Sequence, residues 1–262
     1  MNRKIVWGVV AAVVLAAAGG AYFYATRPAQ PPAAAVPPPT VSATPPPAAA
    51  PPPVENPVPA SADTTPLPAL EASDAPLRAA LEPLTDAKAL DALLAPEDLV
   101  GHIVATVDSL PRAHLDVDQR PLRRAAGDFI AVGPDDAAVE SARNAARYEP
   151  YVRVLAAMDM RKLATVYQHF YPLFQQAYRD LGYPDGYFND RLVEVIDHLL
   201  ATPEVTGPIR LLRPNVMYEF ADPKLQALSS GQKLLLRLGP AQRRTVRAQL
   251  RALRAAVARP PA

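Results

Sequence analysis

Apolar positions recur at helical spacing along most of the chain from Leu70 onward. Asp74 and Pro76 open a short predicted helix carrying Leu77, Ala80, Leu81 and Leu84. Pro96-Glu97-Asp98 opens a second with Leu99, Ile103, Val104 and Val107, ended before Pro111. The clearest stripe follows Asp159, where Leu163, Val166, Tyr167, Phe170, Phe174, Ala177, Tyr178 and Leu181 recur at i, i+3 and i+4. Pro172 lacks a backbone donor and crowds the preceding turn, which predicts a kink or restart near Tyr171. Gly182 suits a helix C-cap and Pro184-Asp185-Gly186 a turn, so the next helix is expected from Asp185 to Ala201. A final helix carries Val246, Leu250, Leu253 and Val257 on one edge. Period-two signals are few. Asp128 to Val132, between Gly127 and Gly133, reads as one short strand, and Ile209 to Leu212 with Val216 to Phe220 as a hairpin turning at Arg213-Pro214-Asn215. The expected fold class is mainly α, a helical globular domain over residues 70–262 with a minor β-hairpin.

The N-terminal pattern is different. Ile5 to Tyr24 is 20 residues without a charge, enough at ~1.5 Å per residue to cross a ~30 Å hydrocarbon layer once. A single N-terminal transmembrane helix is therefore expected at residues 5–24. Arg3 and Lys4 precede it, which by the positive-inside rule makes residues 1–4 a cytoplasmic stub. A cleaved signal peptide is the alternative, with small-residue sites at Ala16, Ala18, Gly20 and Ala21. The length of the span and the aromatic cluster Tyr22, Phe23 and Tyr24 favour an uncleaved signal-anchor. Of 32 Pro, 16 fall between Pro28 and Pro68, and residues 25–69 are expected to form a disordered Pro/Ala-rich linker holding the domain off the bilayer.

Composition removes several chemistries. With no Cys there is no disulfide, thiolate zinc site or Cys nucleophile. No Gly-x-Ser-x-Gly elbow, Gly-rich phosphate loop or His-Glu-x-x-His is present, so no cofactor is expected. A net charge of +1 gives no argument for a nucleic-acid partner. That charge is nevertheless unevenly spread: residues 55–140 hold 16 acids and 6 bases, and residues 223–262 hold 9 bases and no acid.

Two polar stripes are the candidate functional features. On the helix after Gly182, Asp190, Glu194 and Asp197 share one face, with His198 beside them. Like charges at this spacing repel, so the stripe invites a cation, either arginine side chains or a metal. Glu194 and His198 at i, i+4 with Asp190 also have the composition of a metal-ligand set or an acid/base pair. A solvated face of ordinary salt bridges is the structural reading of the same residues, and it outweighs the functional one because one helix supplies too few ligands. The second stripe is Arg244, Arg247, Arg251 and Arg254, an anion-binding candidate on the last helix. Its default partner is the protein's own acidic side, with at least one ion pair closing the C-terminus onto the fold.

The run Tyr171-Pro-Leu-Phe-Gln-Gln-Ala-Tyr-Arg-Asp-Leu-Gly-Tyr-Pro-Asp-Gly-Tyr-Phe-Asn-Asp-Arg-Leu-Val-Glu-Val-Ile-Asp-His-Leu-Leu-Ala-Thr-Pro203, with Ala227-Leu-Ser-Ser-Gly-Gln-Lys-Leu-Leu-Leu-Arg-Leu-Gly-Pro240, resembles bacterial domain-of-unknown-function family 3014. The resemblance extends from Leu70 to the C-terminus and to the anchor-and-tether layout. It implies a Gram-negative envelope protein and supplies no catalytic residue. The expected protein is thus anchored in the bacterial inner membrane with its C-terminal domain in the periplasm. There it binds or scaffolds an envelope protein or cell-wall component without catalysing a reaction; the alternative is a metal-dependent or acid/base enzyme using Asp190, Glu194 and His198.

Overall fold

The computed structural model describes residues 52–115, 119–134 and 136–258. The predicted stub and span at residues 1–24 and most of the predicted linker lie outside the described residues. No described helix is long and apolar enough to cross a membrane.

Three helices come first: α1 (Asp74–Leu81), α2 (Ala87–Leu93) and α3 (Leu99–Ser109). Asp74 contributes beyond its own helix, because its carboxylate accepts from Asp98 N and Leu99 N at 2.7 Å each and so caps the start of α3. Asp98 adds a bond from Gly101 N at the unusual φ of 48°. A Cβ on Gly101 would lie 2.5 Å from the Asp98 carboxylate, so this folded-over cap requires glycine. Helix α2 was not expected from periodicity; its seven residues bury only Leu90 and Leu93.

Strands β1 (Ala131–Val132) and β2 (Ala138–Glu140) precede α4 (Arg143–Ala146), α5 (Glu149–Ala156) and α6 (Met160–Asp180). Asp159 caps α6, accepting from Arg161 N at 2.9 Å. The predicted restart near Tyr171 does not occur, for α6 is continuous through Pro172. The proline ring lies on the exposed side, where solvent can satisfy the carbonyl its missing N–H leaves open. At the far end, Gly182 adopts φ 112°, and Gly182 N and Tyr183 N donate to Arg179 O and Tyr178 O. This is the paired C-terminal bonding that a left-handed glycine permits.

Helix α7 spans Phe188–Leu200, starting three residues later than the sequence suggested. Its opening is capped from another helix. Gln175 of α6 accepts from Phe188 N at 3.0 Å and donates to Gly186 O at 2.8 Å. The chain then forms β3 (Arg210–Leu212), β4 (Glu219–Phe220), α8 (Pro223–Gln226), α9 (Ser230–Arg237) and α10 (Gly239–Val257).

The four short strands make one antiparallel sheet in the order β1-β2-β3-β4, with Val132 opposite Val139, Val139 opposite Arg210 and Leu211 opposite Phe220. The predicted hairpin is therefore half of a sheet, and β2 is the strand that carried no period-two signal. A small core of Ala138, Leu211, Phe220 and Leu236 fixes the sheet to α9. The main core lies where α6 packs on α3 and α10, and α10 on α5 and α7. Phe174 and Phe188 stack at 5.7 Å within it, flanked by Tyr167 and Tyr178. The aromatic stripe is core, as its spacing implied.

Residues 52–69 correct the predicted linker boundary. They run along the domain as a strap, with Val58 and Leu67 packed against the main core. Asp190 accepts from Glu55 N at 3.1 Å and Asn56 N at 2.6 Å, and His169 Nδ1 lies 3.2 Å from Asp63 O. Proline content alone pointed to a tether here, but two apolar anchors and a carboxylate acceptor for the backbone suffice to dock the segment.

Nothing lies within 4 Å of a Cβ added at Gly182, so substitution there costs backbone strain alone. Gly182→Ala should lower stability by about 1 kcal/mol and Gly182→Val by at least as much. Thermal unfolding checks this; unchanged melting temperatures would mean that the positive φ is not held in solution.

Candidate functional site

The acidic face of α7 is used up in separate structural tasks. Asp190 holds the strap, and Glu194 pairs with Arg191 at 2.9 Å. Asp197 makes a two-point pair with Arg254 of α10. His198 Nε2 lies 2.8 Å from Ser229 Oγ at the cap of α9, and burial pushes its pKa below the ordinary value of 6.5, with Glu194 opposing. Asp190, Glu194, Asp197 and His198 thus share a helix but do not converge. Among the described residues no three His, Asp or Glu side chains come together as a metal site.

The basic stripe divides. Arg247 reaches Glu204 at 2.5 Å and the carbonyls of Leu200 and Thr202 at 2.8 and 3.3 Å. It therefore closes the C-terminal end of α7, where a cation opposes the helix dipole. Arg254 pairs with Asp197, which is the internal closure the sequence led us to expect. Arg244 and Arg251 are exposed.

Two further polar groupings were not visible beforehand. Asp108, whose side chain is only 4% exposed, accepts from Arg191 Nε at 3.0 Å and Tyr183 OH at 3.1 Å and also pairs with Arg112. It pins α3 to α7 and to the corner after α6. Tyr178, stacked on Tyr183 at 4.6 Å, has its hydroxyl pKa raised to about 12, chiefly by burial and next by the Asp108 charge. A lone acid at the end of an apolar helix gives no sequence signal of such a role.

The other grouping lies in a cleft of about 230 Å³ between the sheet and the α9–α10 junction. Val205, Pro208, Ile209 and Leu236 form apolar walls, and Glu140, Arg237 and Arg243 supply charge. The Arg237 guanidinium sits 5.6 Å from the ring centres of both Phe129 and Phe220. Its Nε, the Nε of Arg243 and Oε2 of Glu140 are buried without a hydrogen-bond partner among the described residues. Burial raises the Glu140 carboxyl pKa, with Arg237 and then Arg147 pulling it back. Gly239 and Pro240 bring the start of α10 to the same cleft, and that start has no side-chain cap. Buried polar atoms are normally paired; His102 Nδ1, Gln242 Oε1 and Arg247 Nε, outside this cleft, are also without a partner among the described residues.

The fold is that of a mainly helical domain with a small antiparallel sheet. A family described as protein of unknown function, DUF3014, matches residues 99–254, and the chain belongs to that family. The match begins at α3, later than the Leu70 start inferred from sequence. No curated protein and no solved structure matches the chain.

The raised pKa of Glu140 has a signed consequence. Protonated Glu140 is favoured in the folded state, so its contribution is fully present below the ordinary value of 4.5 and is lost as pH rises through the folded pKa. Glu140→Gln should therefore raise the melting temperature at pH 7 and leave it nearly unchanged near pH 4. Parallel thermal unfolding at the two pH values checks the sign, and a lowered value at pH 7 would refute it.

Proposed function

We propose that this protein is a bacterial envelope component, anchored in the inner membrane through residues 5–24, whose domain faces the periplasm and binds or scaffolds rather than catalyses. Its partner is an envelope protein or cell-wall component. The observation that carries this reading is the fate of the α7 stripe: Asp190, Asp197 and His198 each hold a different part of the fold, and Glu194 is paired with Arg191. The strap supports it from the other side, since a chain arriving from an anchor is fastened at Asp190 before the first helix begins. The cleft beside Glu140 and Arg237 is the working surface, because three of the six buried polar atoms without a partner among the described residues belong to side chains that line it.

Protease added to cells with a permeabilised outer membrane should cut within residues 25–51 and release a folded fragment starting close to Pro52, which N-terminal sequencing would identify. Recovery of the protein in the soluble periplasmic fraction would refute the anchor. Complete protection from protease in intact spheroplasts would refute the orientation.

A further inference from the structure

The first part of the strap is held by contacts that a second chain can make equally well. Two adjacent backbone N–H groups, of Glu55 and Asn56, donate to the two carboxylate oxygens of Asp190 at 3.1 and 2.6 Å, and the amide of Asn189 donates to Asn56 O at 2.8 Å. The start of α7 thus reads an extended dipeptide through its main chain. Two residues further on, Val58 adds an apolar anchor on the main core.

Past Val58 the strap stands off from the domain. Residues 59–66 arch over α6 and leave a space of about 460 Å³, with Pro59, Asp63 and Thr64 on one side and His169, Tyr171 and Pro172 on the other. Much of the polar bonding in the arch is internal: Ser61 Oγ accepts from Asp63 N at 3.1 Å and Asp63 Oδ1 from Thr65 N at 2.9 Å. Leu67 then packs on the core again. This arrangement is a hinge. The ten residues 57–66 span ~33 Å when extended, so the dipeptide and Val58 can leave their seat while Leu67 stays at home.

An emptied seat favours a new backbone. Asp190 loses two donors and the buried Asn189 loses one acceptor, and both are regained only from an extended segment. The structure shows one segment that fits. We propose that residues 54–58 exchange between two copies of this chain, the strap of each seated on Asn189 and Asp190 of the other. Seating at home and seating abroad make the same bonds, so chain entropy decides between them. The attached strap has the advantage of a local concentration of roughly millimolar, and crowding of copies removes it. The exchange is independent of the cleft beside Glu140.

Two differently tagged variants of the full-length chain, mixed in detergent micelles, separate the halves of the contact. Glu55→Pro/Val58→Asp removes a donor and the apolar anchor from the strap and leaves the seat intact. Asp190→Ala spoils the seat and leaves the strap intact. Neither variant can satisfy itself, so each mixed with the other should co-purify at least about tenfold more than either mixed with itself. Excess synthetic peptide of residues 52–69 should abolish that recovery. Association through the apolar residues 5–24 is common to all three mixtures and cancels. Asp190→Asn, which keeps the side chain's shape, replaces Asp190→Ala if the latter melts abnormally. Equal recovery from the three mixtures, or recovery that the peptide leaves unchanged, would overturn the exchange. Binding of the peptide to the Glu55→Pro/Val58→Asp protein without cross-recovery of the two chains would overturn the second copy as the occupant.

Discussion

Asn189 is the side chain on which the arrangement of segments depends. It has no exposed surface, and three hydrogen bonds leave it in three directions. Its amide donates to Asn56 O of the strap at 2.8 Å and to Val257 O at the end of α10 at 3.0 Å, and its oxygen accepts from Tyr167 OH of α6 at 3.1 Å. A buried primary amide left unpaired costs on the order of 1–3 kcal/mol. The first turn of α7 therefore tolerates only those positions of strap, α6 and α10 that satisfy all three bonds. Apolar packing supplies most of the driving force, but it is non-directional. Asn189 and its neighbour Asp190 supply the registration.

The same division between packing and directed polar bonds explains what could be read from the sequence. Repeating features were legible: the α6 stripe, the α10 edge, the Asp98 and Asp159 caps and the glycine at 182 all obey local rules that leave a periodic or positional trace. The four-stranded sheet was seen only as a hairpin because β2 is three residues long and too short to show alternation. Asn189, Gln175 and Asp108 bond to atoms remote in sequence, and no local pattern marks such a residue. Of the two candidate stripes the residues were found, and an ion pair between the last helix and the acidic side was expected, but the backbone partners of Asp190 and the Glu204 partner of Arg247 were not. The residues of the cleft come from β2 and the turn into α4, the segment before β3, α9 and α10, brought together by the fold alone.

Charge is also settled differently from what its distribution along the chain suggests. Among the described residues, the ion pairs made by α10 are to Asp197 and Glu204. Arg243 and Arg247 converge on one carboxylate, and Arg247 in addition bonds the carbonyls that end α7. Only the Arg254–Asp197 pair is exposed on both sides, and such a pair is worth just ~0.2–1 kcal/mol, whereas Arg243 is buried and Arg247 largely so. Their effect is to fix where α10 begins, and hence the shape of the cleft that its first residues line.

The strap changes the mechanics of the proposed attachment. A leash counted from residue 25 to residue 69 would pay out ~140 Å as fully extended polyproline II, at ~3.1 Å per residue. With residues 52–69 laid on the domain, 27 residues remain and the maximum falls to ~84 Å. A pull from the proposed anchor would arrive first at Glu55 and Asn56, on the two backbone bonds to Asp190 and the carbonyl bond to Asn189. Tension would peel this short segment before it loaded a helix. The first bonds to yield would include one made by the side chain that registers α6, α7 and α10, so force from such an anchor would be felt inside the domain.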